Sequence, residues 1–128
     1  MTDDTVDYLT VDDLLDIADG ILPAVAVRDI GLLASAASRP LASAFGEQAY
    51  PSFAEKAAAL LHSIARNHAL ADGNKRLAWA ATRTFCLLNG RDIALSVDDA
   101  EALVVGAAAG TLDLPELAVR LAAAGLGA

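Results

Sequence analysis

The sequence has little of several residue types, and each shortage excludes a class of protein. One of the 128 residues is cysteine, Cys86, so no disulfide can form within the chain, which fits a reducing compartment. Aromatic residues make up 5%, and 9 Lys and Arg stand against 17 Asp and Glu, giving a formal charge of −8. A broad basic surface for direct nucleic-acid binding is therefore excluded, and any anion site must be local.

Long apolar runs are also missing. No run approaches the ~20 residues that span a bilayer, which argues against contact with a membrane. The acidic start, MTDDTVDYLT, lacks the basic and apolar regions of a signal peptide. We therefore expect a cytoplasmic protein in which Cys86 is a buried structural thiol.

Apolar residues are abundant at 55% of the chain, and alanine and leucine dominate them, which suits close-packed helices. Four capping-box patterns mark helix starts at Thr10, Ser52, Ser96 and Asp113. Glycines that follow apolar runs are expected to end helices at Gly20, Gly90, Gly110 and Gly125. No strand-like alternation appears, and LASAFGEQAYP, residues 41–51, is expected to be an irregular connection. We predict an all-α fold and a single domain over residues 1–128.

Two predicted helices flank the most unusual stretch of the chain. In the first, from Ser52 to Asn67, apolar residues recur with a helical period at Phe53, Ala57, Leu60, Leu61 and Ile64. His68 continues that apolar stripe. The second helix is predicted from near Asn74 to Asn89, and its inner face carries Leu77, Ala81, Phe85 and Leu88.

The stretch between them, HALADGNKR, places two cations at the wrong end of a helix. Lys75 and Arg76 fall in its first turn, where the partial positive charge makes a cation unfavourable by ~0.3 to 1 kcal/mol. A bound phosphate would resolve this conflict, because amides near Gly73 and Asn74 would point at it and the two cations would neutralise it. The alternative is that both cations face solvent or pair with an acid.

Two further residues of the loop admit two interpretations each. Asp72 is either the cap of the following helix or an oxygen ligand for Mg²⁺ shared with phosphates, and a bound triphosphate favours the metal role. His68 is either a core histidine or a general base for a hydroxyl that attacks the phosphate. Its position beside the anion-binding turn favours the base, whereas His62 has no comparable neighbours and is interpreted as structural.

HALADGNKR resembles the H-x-F-x-D/E-G-N-G/K-R signature of the Fic/Doc superfamily, and the similarity extends over nearly the whole chain. It matches the short Doc (death on curing) toxins, which implies a compact bundle of about six helices. The resemblance also implies a toxin that transfers the γ-phosphate of ATP to a threonine of elongation factor Tu and so arrests translation. By the same resemblance His68 is the general base, Asp72 holds Mg²⁺, and the phosphates are bound by Arg66, Gly73, Asn74, Lys75 and Arg76.

Departures from the signature separate the subtypes. Members that transfer AMP usually have glycine at the position of Lys75 and a second arginine at that of Trp79, so both residues favour Doc-type phosphate transfer. AMP transfer remains the alternative, as does a module that binds only an antitoxin or a nucleotide. Ala69, Leu70 and Leu77 replace a common proline, phenylalanine and threonine, which predicts a less firmly held loop and removes one hydroxyl.

Fic proteins are often inhibited by a helix with the motif [ST]-x-x-x-E-[GN]. The nearest match here, SAFGEQ at residues 43–48, contains a glycine, ends in glutamine and is interpreted as coincidental. Without internal inhibition, the resemblance implies an antitoxin of the Phd type, whose disordered segment folds as a helix into a groove on the toxin.

Overall fold

The computed structural model describes residues 6–127, so residues 1–5 of the acidic start, on which the expectation of no signal peptide partly rests, lie outside it. Within this range the chain forms six α-helices: α1 (Val11–Ile21), α2 (Ile30–Ser38), α3 (Phe53–Asn67), α4 (Asn74–Leu88), α5 (Val97–Ala109) and α6 (Leu114–Leu121). The strands β1 (Ser43–Ala44) and β2 (Glu47–Gln48) pair as one antiparallel hairpin. The predicted all-α fold is confirmed.

Helix α3 lies at the centre and packs against α2, α4, α5 and α6. Its predicted apolar stripe is buried at all five positions, and small residues such as Ala58 and Ala59 are buried on its other faces. Small side chains let the neighbouring helix backbones approach from several sides, which explains the high alanine content. The prediction that His68 continues this stripe is wrong, because His68 adopts a left-handed conformation (φ 52°) after the helix and is exposed.

All four predicted helix caps are present. Thr10 and Ser52 form capping boxes with the acids three residues later, and Ser96 and Asp113 each accept a hydrogen bond from the backbone N–H three residues on. Gly110 ends α5 in the left-handed conformation as predicted. The stop predicted at Gly20 is wrong, because α1 continues through it to Ile21 before Pro23 prevents further helix.

The connection expected to be irregular contains the β1–β2 hairpin. Ser43 pairs with Gln48, and the two-residue turn consists of Phe45 (φ 56°) and Gly46 (φ 79°). Positive φ at both turn positions matches the twist of a tight hairpin. Each strand has only two residues, too few for an alternating pattern to be recognised in the sequence.

A buried lysine and a half-buried arginine connect the base of this hairpin to α3. Lys56 is 1% exposed, and its ammonium donates a 2.6 Å hydrogen bond to Gln48 Oε1 and another to the carbonyl of Tyr50. Arg39 donates to the hydroxyls of Tyr50 (2.8 Å) and Ser63 (3.0 Å). The hairpin therefore projects from an anchored base, with Phe45 fully exposed at its tip.

Two single-residue predictions have opposite outcomes. Cys86 is buried, and burial raises the pKa of its thiol to about 12, which confirms a structural thiol. Leu88, expected on the inner face of α4, is half exposed at the last turn, so that prediction is wrong.

In the described part of the chain, none of the helices combines the length and apolarity needed to cross a bilayer.

Candidate functional site

The candidate site is the loop of residues 68–73 with the first turn of α4. His68 is exposed, and its imidazole has no hydrogen-bond partner among residues 6–127. The next two residues, Ala69 and Leu70, turn inward and are buried. The end of α3 therefore presents the histidine to solvent while the residues directly after it join the core.

A neighbouring segment holds this loop in place. The amides of Arg28 and Asp29 both donate to the Ala69 carbonyl, at 2.8 and 3.1 Å. The Ala71 amide donates to the Ala26 carbonyl at 2.8 Å, so that Val27 and Leu70 form an isolated antiparallel bridge. The loop is thus paired with an extended segment, and this pairing could not be predicted from the sequence of the loop itself.

Asn74 closes the loop from the other side. Its Oδ1 accepts a hydrogen bond from the Leu70 amide (3.0 Å), and its Nδ2 donates to the Leu70 carbonyl (2.9 Å). Both polar atoms of the side chain are therefore engaged with the backbone of the loop. A phosphate role for Asn74 stays a prediction, and the donors it leaves unused within the described residues are its main-chain amide and the second N–H of Nδ2.

The first turn of α4 is uncapped. The N-cap residue is Gly73 (φ 89°), and no side chain of the described residues accepts a hydrogen bond from the main-chain amides of residues 74–76. Asp72 does not cap it, because its Oδ1 accepts from the Gly73 amide directly after it (2.9 Å). The capping interpretation of Asp72 thus does not match the structure, and the amides of the first turn point outward without an internal acceptor.

Lys75 and Arg76 follow at this helix end, and both are exposed. Within residues 6–127 neither lies within 4.0 Å of a carboxylate, and the ion pairs there join Arg83 to Asp92 and Arg120 to Glu116. Of the two alternatives weighed from the sequence, pairing with an acid such as Asp72 is not found, whereas exposure of both cations to solvent is what the structure shows. Two unpaired cations remain beside uncapped amides.

Two hollows meet at Arg76. A small one of about 230 Å³ is lined by Asp72 and Arg76 and by the apolar segment 22–26. A larger groove of about 660 Å³ runs between α4 and α5, and its wall on α4 consists of Lys75, Arg76, Trp79, Ala80 and Arg83. Asp72 thus lines the small hollow, Lys75 lines the larger groove, and Arg76 lines both.

Two predicted site residues lie elsewhere. The guanidinium of Arg66 contacts the end of α5, where its Nη1 lies 3.5 Å from the Ala108 carbonyl. A Cβ placed on Gly110 would lie 2.5 Å from the same nitrogen, so Arg66 fills the space that this glycine leaves. His68 lines neither hollow. The roles of Arg66 and His68 stay predictions, and for Arg66 the observed contact is with α5.

Gly73 has a position that a larger residue would not fit. A Cβ there would lie 2.7 Å from Leu22 Cδ1, and its φ of 89° is unfavourable for other residues. The close backbone approach that the sequence analysis assigned to Gly73 is therefore present, although the contact is with Leu22 of the same chain.

Backbone hydrogen bonds hold the loop in place around the departures from the signature. Leu70 is 1% exposed and Leu77 0%, and the segment 26–29 bonds the backbone on both sides of Leu70. The expectation that the substituted side chains leave the loop less firmly held stays a prediction. Sequence reasoning missed this segment, since its contacts span some forty residues and no local pattern marks them.

Residues 6–127 thus define an all-helical protein with one candidate anion site at the uncapped start of α4. A sequence profile of the Fic/DOC family matches residues 8–86. A toxin Doc from Mycolicibacterium smegmatis (strain ATCC 700084 / mc(2)155) is 53% identical over 98 residues, which cover 75% of this chain and 75% of that protein. The chain belongs to the Fic/DOC family, and within it to the Doc toxins.

Proposed function

We propose that this toxin transfers the γ-phosphate of ATP to a hydroxyl group of a protein, with a threonine of elongation factor Tu as the target. The observation that carries the proposal is the start of α4, where uncapped amides and two unpaired cations follow an exposed histidine and an aspartate. Phosphate groups satisfy both the amides and the cations.

Each residue of this site has a role in the proposed reaction. His68 takes the proton of the attacking hydroxyl, whose oxygen forms the new bond to the γ-phosphorus while ADP leaves. Lys75 and Arg76 stabilise the charge on the transferred group, together with the first amides of α4. Asn74 acts through the loop, since its side chain holds Leu70 and so fixes where those amides point.

Mg²⁺ is the metal that such a reaction requires, and Asp72 is the residue that would hold it. The carboxylate is exposed, one oxygen is bonded to the Gly73 amide, and Oδ2 has no partner in the described part of the chain. No group of three or more His, Cys, Asp or Glu side chains gathers there. A single carboxylate fits Mg²⁺, which completes its shell with water and phosphate oxygens and neutralises the phosphates.

We also propose that an antitoxin of the Phd type is the natural partner. The name of the similar toxin Doc supports it, as does the conformation of the SAFGEQ stretch, the nearest match to the inhibitory motif, which forms the β1–β2 hairpin and not a helix. Without an antitoxin, a catalytically active toxin would act on its own host cell.

The decisive experiment determines which phosphate group of ATP is transferred to protein. The purified chain is incubated with a cytoplasmic extract and Mg²⁺, once with γ-labelled and once with α-labelled ATP. The proposal expects a protein band labelled from the γ position only, at the size of elongation factor Tu, and a mass increase of one phosphate. The matched variant is Asp72→Asn, which keeps an acceptor for the Gly73 amide and should need a higher Mg²⁺ concentration for the same rate.

Label from the α position would instead establish AMP transfer. If neither label enters a protein of the extract, although the chain still arrests the growth of cells, both reactions are contradicted. Such a result would favour the module that only binds.

A further inference from the structure

We propose that residues 27–32, which enter α2 and form its first turn, are the docking surface for the protein substrate. This inference rests on the proposed function, since it takes a protein hydroxyl to be the acceptor of the phosphate. It adds where the substrate lies and what it presents there, namely an apolar side chain and an acidic side chain close to the acceptor hydroxyl.

The first argument is position, because this segment is bonded to the residues on both sides of His68. The carbonyl of the residue directly after the histidine accepts hydrogen bonds from the amides of Arg28 (2.8 Å) and Asp29 (3.1 Å). Directly before the histidine, Nδ2 of Asn67 donates to the Leu32 carbonyl (3.4 Å). The segment is therefore adjacent to the exposed imidazole.

A protein substrate has to meet this segment when its hydroxyl reaches His68. An extended chain advances about 3.3 Å per residue, so the residues one to three positions from the acceptor lie about 3 to 10 Å from it. Those neighbours extend over the surface around the histidine, and residues 27–32 form one side of that surface.

The second argument is the apolar chemistry of the segment. Val27, Ile30 and Leu32 are 39%, 54% and 37% exposed. Among the α-helices of residues 6–127, α2 is the one without a charged residue, although 20% of the chain is charged. A helix at the surface normally turns a polar face to water, so an uncharged face with exposed apolar side chains favours contact with another molecule.

The third argument is the charge of Arg28. This residue is exposed, and within residues 6–127 no carboxylate lies within 4.0 Å of its guanidinium. The neighbouring Asp29 caps α2, since its Oδ1 accepts a hydrogen bond from the Leu32 amide (3.1 Å). A chain with a formal charge of −8 repels acidic partners except where cations are exposed. Arg28 therefore matches an acidic side chain of the substrate.

The same charges argue against a second copy of the chain as the occupant. A symmetric pair that met through residues 27–32 would place the two Arg28 side chains at one interface. It would also bring two chains with a charge of −8 together and cover His68. A separate protein that offers an apolar and an acidic side chain meets none of these obstacles.

The test measures initial rates of label transfer from γ-labelled Mg·ATP at increasing concentrations of the protein that takes up the label, expected to be elongation factor Tu. The principal variant is Ile30→Gln, because glutamine is compatible with a helix and removes the apolar surface. Covering the exposed half of an isoleucine side chain improves affinity about three- to tenfold. The KM for the protein should therefore rise by about that factor, while kcat and the affinity for Mg·ATP stay unchanged.

Further variants separate docking from folding. Ile30→Leu keeps an apolar side chain and should restore the KM of the parent chain. Val119→Gln is the matched control, since Val119 is an apolar residue of α6 that is 64% exposed, and its KM should equal that of the parent. Arg28→Gln should also raise the KM for the protein, and this rise should shrink at high salt, which screens exposed charges.

If label still enters protein and the KM is unchanged in both Ile30→Gln and Arg28→Gln, this inference is overturned and the proposed function stands. A weaker affinity of Arg28→Gln for Mg·ATP would assign that arginine to the phosphates and reject its part in docking. If sedimentation shows that the parent chain is a dimer and Ile30→Gln a monomer, the segment joins two copies, which also rejects the inference. If the parent chain labels no protein, the proposed function fails and the docking surface with it.

Discussion

The two longest helices, α3 and α4, have 15 residues each and follow one another in the chain, yet they begin in opposite ways. At the start of α3, Ser52 and Glu55 satisfy each other's backbone amides in a capping box, and an acid occupies the first turn. At the start of α4 there is a glycine without a cap, followed by Lys75 and Arg76. The same feature, a helix N-terminus, is closed by its own chain in one case and left open with added positive charge in the other.

We interpret the capped start of α3 as a contribution to stability and the uncapped start of α4 as a contribution to function. A cap contributes about 1 kcal/mol to the helix that it closes, while cations in the first turn oppose the helix dipole. The start of α4 therefore lacks stabilising contacts that the other helices have, which is typical of a functional site. Removing the cations in the first turn of α4 should affect activity, and removing the cap of α3 should affect stability alone.

The largest effect is expected for His68→Ala. Loss of a general base typically lowers a rate about 100- to 10,000-fold, so transfer of label from γ-labelled ATP should fall by such a factor. ATP binding should persist, because the cations and amides remain. His62→Gln is the control in α3, the helix that His68 follows; equal loss in both variants would mean that His68 acts through folding.

The next effect is expected for Arg76→Ala. A hydrogen bond to a charged group contributes about 1.5 to 3 kcal/mol, so ATP binding should weaken at least about tenfold, with a smaller loss for Lys75→Ala. Calorimetric titration with ATP measures it. Arg120→Ala is the control, because Arg120 pairs with Glu116 on α6. Unchanged affinity in the Arg76 variant would show that the open helix end is not used for phosphates.

Gly73→Ala should mainly affect stability. The left-handed conformation costs a residue with a Cβ about 1 to 2 kcal/mol, and Leu22 must also move to admit the new methyl group. Urea denaturation should show a loss of at least that size. Gly20→Ala is the opposite control, since no atom lies within 4 Å of a Cβ there and alanine in a helix is favourable by about 1 kcal/mol.

Ser52→Ala should lower the free energy of unfolding by about 1 kcal/mol through loss of the cap of α3. Label transfer per folded molecule should stay at the level of the parent chain. Denaturation curves and initial rates from the same preparation test both statements. A large loss of activity at unchanged stability would remove the distinction between the two helix ends.

The smallest effect concerns pH. Burial, and then the nearby charges of Arg39 and Arg66, hold the pKa of His62 below its ordinary value, with Asp113 opposing them. The unfolded chain therefore binds a proton more readily than the folded one, and stability should fall as pH drops through about 6.5. His62→Gln should flatten this part of the curve. If the variant's free energy of unfolding depends on pH with the same slope, another group causes the effect.

Local chemistry made most of the fold predictable. The caps at Thr10, Ser52, Ser96 and Asp113 bond within three residues, so the sequence contains both partners side by side. Burial of the α3 stripe follows from its period in the same way. The β1–β2 hairpin was missed because its turn needs a positive φ at Phe45, and this conformation is uncommon for a residue other than glycine.

The candidate site was predictable in composition but not in geometry. HALADGNKR identified the family and predicted a helix that begins near Asn74, and both are confirmed, while the roles of its residues stay predictions. Arg66 could not be placed from the sequence, because its contact with Ala108 joins residues 42 positions apart. The same reason hides the pairing of Val27 with Leu70 and the groove beside Trp79, which exist only once α4 and α5 have packed.

The two hydrogen bonds between Asn74 and Leu70 have a consequence for the thermodynamics of ligand binding. They join a side chain to the backbone four residues earlier, so the loop is a closed ring before any ligand arrives. Ordering a residue costs about 1 to 2 kcal/mol in backbone entropy, and folding has already met this cost for the ring. Affinity for a phosphate then reflects the contacts themselves, because binding does not have to order this ring.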